Sequence, residues 1–220
     1  RDRDWGMFHV EHGFLDVWRN YSKALKQRNA ALRKADKAVI ESIDEVLAVH
    51  GTQLSLLRER FANIVSRRIG TMMQRISKRT LQVNLEYYPG WNGENYLTAL
   101  KNGQKRDLER GMTLNGPHRA DLTLTCGKQA ARAVLSRGEQ KALAAAMLLT
   151  QAEEYVNTGE NPEILLDDLV SEFDHNHFKK VLVVATALNT QVWLTGTEKP
   201  SLSFPHKMFH VKQGHVKELV

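Results

Sequence analysis

Cysteine is almost missing from this sequence. The one residue, Cys126, excludes an internal disulfide framework and a cysteine-rich zinc site, and a reducing, cytoplasmic setting fits best. Long apolar runs are missing as well. None reaches the roughly 18 residues that a membrane helix needs, so no membrane partner is expected. No signal peptide opens the chain, and its first residue is Arg1 rather than Met, so something upstream is expected to have been removed or left out. There is no internal repeat, no low-complexity segment, and no Ser-His-Asp or Cys-His order that would suggest a hydrolase.

What is present suits one large or two small domains in 220 residues. Charge is unevenly spread. Between residues 19 and 79 stand 14 basic and 5 acidic residues, a net +9 in a chain whose total is +6. A basic arm on a near-neutral body suggests a polyanionic partner, most often nucleic acid. Lys26, Arg28 and Arg33 are the candidate DNA contacts. A solvated helical face explains the same run of charge about as well.

The first third reads as helices. Phe14, Trp18, Tyr21, Leu25 and Leu32 form one apolar stripe. A second helix is predicted over 36–49, with Val39, Ile40, Ile43, Val46 and Leu47 inward and Gly51 ending or bending it. A third carries Leu54, Leu57, Phe61, Ile64, Val65, Ile69, Met72, Met73 and Ile76. Together they predict a helical hairpin or small bundle. Alternation over 81–87 predicts a strand, and a polar helix over 94–109 follows. Another strand is expected over 120–126.

From Leu135 onward the pattern is α/β. A helix over 136–156 is apolar nearly all round, which predicts burial. The short strand 164–166, a helix over 174–188 and the strand 191–195 make one crossover, which favours parallel strands. Residues 208–216 read as a terminal hairpin around Gln213-Gly214.

Two motifs carry chemistry. Ile164-Leu165-Leu166-Asp167-Asp168 resembles a Walker B element, an apolar strand ending in acids. Ligands collect at the carboxyl ends of parallel strands. There Asp167 can hold magnesium, which prefers oxygen ligands, and Asp168 can orient or deprotonate attacking water. A plain strand end or helix cap explains the acid pair equally well on its own. Leu135-Ser136-Arg137-Gly138-Glu139-Gln140-Lys141 resembles an ABC signature, in which free N–H groups at a helix start face a phosphate. Ser136-x-x-Glu139 is also an ordinary capping box. The Walker-B-like strand about thirty residues later favours the signature.

Five segments then resemble RecF proteins, in that family's order. They are Trp5-Gly6-Met7-Phe8-His9-Val10-Glu11, Leu25-Lys26-Gln27-Arg28-Asn29-Ala30-Ala31-Leu32-Arg33, Gly116-Pro117-His118-Arg119-Ala120-Asp121-Leu122, and the signature with Asp167 to Asp174. The resemblance implies an α/β fold, the rear half of an SMC-like ABC ATPase head with a parallel sheet and crossover helices. A helical lobe would occupy 1–112 and the ATPase half 113–220. It also implies ATP and Mg as cofactors and an ATP-dependent homodimer. DNA, single-stranded or gapped duplex, and RecR and RecO would be partners in loading recombinase. Carried over by residue, Asp167 is the magnesium-side acid and Asp168 the water-activating acid. Ser136, Arg137, Gly138 and Gln140 would meet the γ-phosphate held by the other protomer. Ser171 and Asp174 match the D-loop, and Thr195 or Thr197 stands where a switch histidine is common.

One departure matters. No Gly-x-x-x-x-Gly-Lys-Ser/Thr occurs, the loop whose backbone N–H groups and lysine cradle phosphates. The resemblance implies that the complete protein carries this loop and hydrolyses ATP slowly; without it, this chain is expected to do so negligibly. The alternatives are a non-catalytic DNA-binding or interaction module, or another SMC-like head; the short helical arm argues against the latter. The pairs His9/His12 and His206/His210 have helical spacing, but no third metal ligand accompanies them, and surface roles are expected. His118 and Arg119 line a site or close a turn, and for His118 the surface role is favoured.

Overall fold

The computed structural model describes residues 13–77, 82–93, 95–202 and 204–219. The motif at residues 5–11, the His9/His12 pair, Lys78, Arg79 and Leu81 lie outside the described residues.

Helix α1 (Phe14–Lys34) ends where Ala35 turns left-handed at φ 54° and its N–H bonds back to the Ala31 and Leu32 carbonyls. Asp36 then caps α2 (Lys37–Ile76), accepting the Val39 N–H at 3.2 Å. The sequence predicts two helices here, but α2 is continuous over 40 residues, about 60 Å at 1.5 Å per residue. Gly51 does not break it. The Tyr96 ring fills the place of its missing side chain, and a Cβ there would lie 2.5 Å from Tyr96 Cε1. This glycine permits a close approach rather than a stop.

Strand β1 (Val83–Tyr88) follows, then α3 (Tyr96–Arg110), capped by Asn95 and closed by left-handed Gly111. A single 3₁₀ turn (Pro117–Arg119) leads into β2 (Asp121–Cys126) and β3 (Gln129–Ala130). These strands form an antiparallel sheet in the order β1-β2-β3. After the short α4 (Ala131–Val134) comes α5 (Arg137–Asn157), which begins with the signature-like motif. Strand β4 (Ile164–Leu166), α6 (Leu169–Glu172), α7 (His175–Thr186) and β5 (Val192–Leu194) complete the predicted crossover. β4 and β5 pair in parallel, Leu165 opposite Trp193. The last elements are β6 (Met208–Lys212) and β7 (His215–Leu219), an antiparallel hairpin.

Two large apolar clusters hold this together. Phe14, Tyr21, Leu47, Leu54, Tyr96 and Leu100 join α1, the first half of α2 and α3. Ile69, Met73 and Ile76, from the far half of α2, pack with Ala142, Leu143 and Ala146 of α5, with Val181 and Leu182 of α7, and with Ile164. Each fully buried large side chain contributes roughly 1.5–3 kcal/mol. Helix α2 thus feeds both clusters, and β1 pairs with β2 across the expected boundary at residue 112.

Several inward assignments change. Val39 is 44 % and Val46 51 % exposed, while Ile40, Asp44, Leu47 and Ala48 of the same helix are buried. Helix α5 is not covered all round, since Leu148 is 61 % exposed. Its small Ala142 and Ala146 face the core and leave the opposite stripe to solvent.

Candidate functional site

The acids Asp167 and Asp168 stand exposed at the carboxyl end of β4. Thr195, one residue past β5, joins them. Its hydroxyl donates to Asp167 Oδ1 at 2.5 Å and accepts the Asp168 N–H at 3.1 Å, while its own N–H reaches the Leu166 carbonyl at 3.0 Å. The parallel pairing of β4 with β5 makes this possible, because both strands deliver their ends to one edge. Asp168 is left-handed at φ 48°, a conformation that Asp and Asn tolerate better than most residues. Ser171 Oγ donates to Asp168 Oδ2 at 2.6 Å and to its carbonyl at 3.0 Å. Exposed carboxylates with oxygen neighbours are the donor set of a hard cation such as magnesium.

Ser136 is the N-cap of α5, and the capping box is complete. Its hydroxyl accepts the Glu139 N–H at 3.3 Å, and Glu139 Oε2 accepts the Ser136 N–H at 2.9 Å. Arg137 and Gly138 are exposed, and nothing lies within 4 Å of where a Gly138 Cβ would stand. Gln140 turns back, donating to the Leu135 carbonyl at 2.9 Å. The helix start is thus ordered by its own side chains and open outward.

A third group links these two. Lys141 of α5 donates to the Glu172 carbonyl at 3.0 Å and pairs with its carboxylate at 2.6 Å. Asp174 caps α7 through the N–H groups of Asn176 and His177, and it binds His177 Nδ1 at 2.5 Å. The His177 bond holds the Asp174 carboxyl below its ordinary value. A groove of about 540 Å³ runs between the two helix starts, lined by Ser136, Glu139, Asp174, His177 and Lys180. Asp167, Asp168 and Thr195 do not line it.

The DNA candidates divide. Lys26 and Arg33 are exposed on α1. Arg28 is not available to DNA, because it is fully buried. Its Nε donates to Asp44 Oδ1 at 2.5 Å, and its Nη1 donates to Asp107 Oδ2 at 2.5 Å and to Thr113 Oγ1 at 2.9 Å. Burial alone would lower the Arg28 pKa; the bonds from Asp44 and Asp107 outweigh it and raise the pKa above its ordinary value. This arginine locks α1, α2 and α3 together. Sequence reading missed the lock, although the signal was there. Arg28 lies on the buried stripe of Tyr21, Ala24 and Ala31, and Asp44 lies on that of Ile40 and Leu47.

His118 takes neither expected role in simple form. One side of the residue is open, yet both ring nitrogens are engaged. Nε2 donates to the Thr113 carbonyl at 2.9 Å, so Nδ1 accepts the Tyr21 hydroxyl at 2.7 Å. Burial lowers the His118 pKa and pushes the Tyr21 phenol up to about 12.

A parallel strand pair ending in two exposed acids, a capped helix start before it and a helical lobe beside it make an α/β chain with a large helical part. No family model matches the chain. Curated relatives do, and they are DNA replication and repair proteins RecF. The chain is 38 % identical to that of Xanthomonas euvesicatoria pv. vesicatoria (strain 85-10) over 221 residues, covering 97 % of this chain and 60 % of the relative. Against Stenotrophomonas maltophilia (strain R551-3) the figures are 37 %, 97 % and 59 %, and against Marinomonas sp. (strain MWYL1) 33 %, 91 % and 55 %. Solved structures of the recombination mediator protein RecF-ATP and RecF-ATPrS in the RecFOR pathway match all of this chain and 63 % of theirs. Their TM-scores are 0.85 and 0.83, at 22 % identity, a likeness of fold. The chain is thus similar to RecF proteins over nearly all of its own length, and it spans about three fifths of the length of the relatives it matches.

Proposed function

We propose that this chain supplies the signature, the Walker B acids and the DNA-binding helical lobe of a RecF-like protein of DNA replication and repair. In the full-length protein ATP joins two heads, each giving its signature to the nucleotide of the other. The closed state then acts on gapped or single-stranded–duplex DNA with RecO and RecR to load recombinase, in the cytoplasm. The chain divides near residue 112 into the helical lobe and the ATPase half, with β1 completing the sheet of the latter.

One observation carries this reading: the exposed Asp167/Asp168 pair at the end of a parallel strand, with Thr195 bound to both. Asp167 is the residue to hold Mg, which supplies neutralisation of phosphate charge when bound. Asp168 is the residue to orient or take a proton from water. Ser136, Arg137, Gly138 and Gln140 face the partner's γ-phosphate, and Ser171 and Asp174 lie along the seam. Ser136 lines a groove that Asp167 and Asp168 do not line, which fits a site shared between two copies. A γ-phosphate bridging two surfaces stabilises only the closed state.

The test is Asp168→Asn in the full-length protein. Asparagine tolerates the left-handed backbone and can still accept from Ser171, so the loop should hold. ATP turnover should fall about 10²–10⁴-fold, the usual worth of a general base, with ATP binding retained. Normal turnover would remove Asp168 from the chemistry.

A further inference from the structure

The C-terminal hairpin has two unlike faces. Residues paired across antiparallel strands share a face, and neighbours along a strand alternate. Phe209, Val211, Val216 and Glu218 therefore share one face, and Lys207 pairs with Glu218 there at 3.3 Å. His210 faces Lys217, and Lys212 faces His215, on the other. All four are exposed, and no acidic residue belongs to that face.

Two such pairs stand in succession, and no carboxylate is among the paired residues of that face, so the charges of Lys212 and Lys217 meet no acid on it. The ribbon is also well defined. Gln213 and Gly214 take φ 50° and 81°, the two positive values of the tight turn that matches strand twist.

We infer that the face formed by His210, Lys212, His215 and Lys217 is a second docking surface for duplex DNA, apart from the α1 arm. Same-face neighbours on one strand are about 6.8 Å apart, twice the ~3.4 Å axial spacing of phosphates along one DNA strand. A two-stranded ribbon is also one of the shapes that the roughly 12 Å major groove admits. Because the ribbon meets phosphates, it adds affinity and position without sequence preference. The inference rests on the DNA reading above.

The experiment measures binding of a labelled duplex to the full-length protein across a salt series. Lys212→Gln with Lys217→Gln should weaken binding on the order of tenfold and lower the slope of log K against log salt by about 1.8, two contacts at 0.9 each. Lys212→Arg with Lys217→Arg should keep both. Circular dichroism melting should match wild type, because the side chains lie outside the buried clusters. If the glutamine pair binds like wild type while Lys26→Gln with Arg33→Gln loses affinity, the ribbon surface is wrong and the DNA reading stands. If the wild-type protein binds no duplex, both fall. Loss of binding to phosphatidylserine vesicles, with duplex binding unchanged, also overturns the inference.

Discussion

Arg28 shows how far a residue's neighbours can change its meaning. Counted by charge it belongs to a basic arm. In the fold its side chain is 0 % exposed, between Asp44 at 2 % and Asp107 at 1 %. Asp107 also accepts the Leu114 N–H at 3.0 Å, and Asn29 accepts from both Thr113 N–H and its hydroxyl at 2.8 Å. Removing one member of such a group strands buried charge, at a cost of about 3–5 kcal/mol. Arg28→Met should therefore lower the unfolding free energy by about that much in urea titration. Adding Asp44→Asn and Asp107→Asn should recover much of the loss, since an uncharged group no longer needs the guanidinium. A single variant as stable as wild type would mean that the three charges are not coupled.

At the scale of elements, the readable parts were those whose signal is local. The crossover from β4 to β5 follows from two short apolar runs flanking a helix. The Ser136 cap follows from its spacing to Glu139, and the hairpin from Gln213-Gly214. What was not legible depended on partners far along the chain. Gly51 admits the ring of Tyr96, 45 positions later, and the helix runs on through it. The exposed stripe of α5 was hidden for a related reason. Alanine and leucine look alike in periodicity, and only the position of α2 and α7 says which side is inside. The site motif has a double reading of the same kind, because Ser136 is a cap in the fold and a signature residue in the proposed function. Ser136→Asp separates the two. Aspartate is as good an N-cap as serine, but it loses the hydroxyl's 2.9 Å bond to the Glu139 carboxylate, so the helix should hold at a cost of about 1 kcal/mol in melting. A carboxylate facing the partner's γ-phosphate should abolish ATP-dependent dimerisation of the full-length protein, as read by light scattering. Retained dimerisation would leave Ser136 as a cap alone.

The whole molecule is where the two motifs acquire a common purpose. Lys141 and Glu172 tie the signature helix to the turn after the acids, yet the groove beside Ser136 excludes Asp167 and Asp168. If one chain held a complete site, two variants damaged at different motifs would each be dead and stay dead when mixed. If the site is shared between copies, mixing should restore it. A Ser136→Asp protomer keeps its acids, and an Asp168→Asn protomer keeps its signature. A dimer of one with the other has one intact composite site and one doubly damaged. In a two-fold symmetric dimer, the Ser136→Asp protomer does not pair with itself; at most half of the encounters are mixed, and each mixed pair keeps one intact nucleotide seat and regains one site of two. Equimolar mixing of the full-length variants should then recover up to about a quarter of wild-type turnover from two inactive stocks. Recovery should follow the mixed fraction as the ratio is varied, peaking at equal amounts. A mixture no more active than its components would place signature and acids in the same chain's chemistry, or in none, and the shared nucleotide would have to be abandoned.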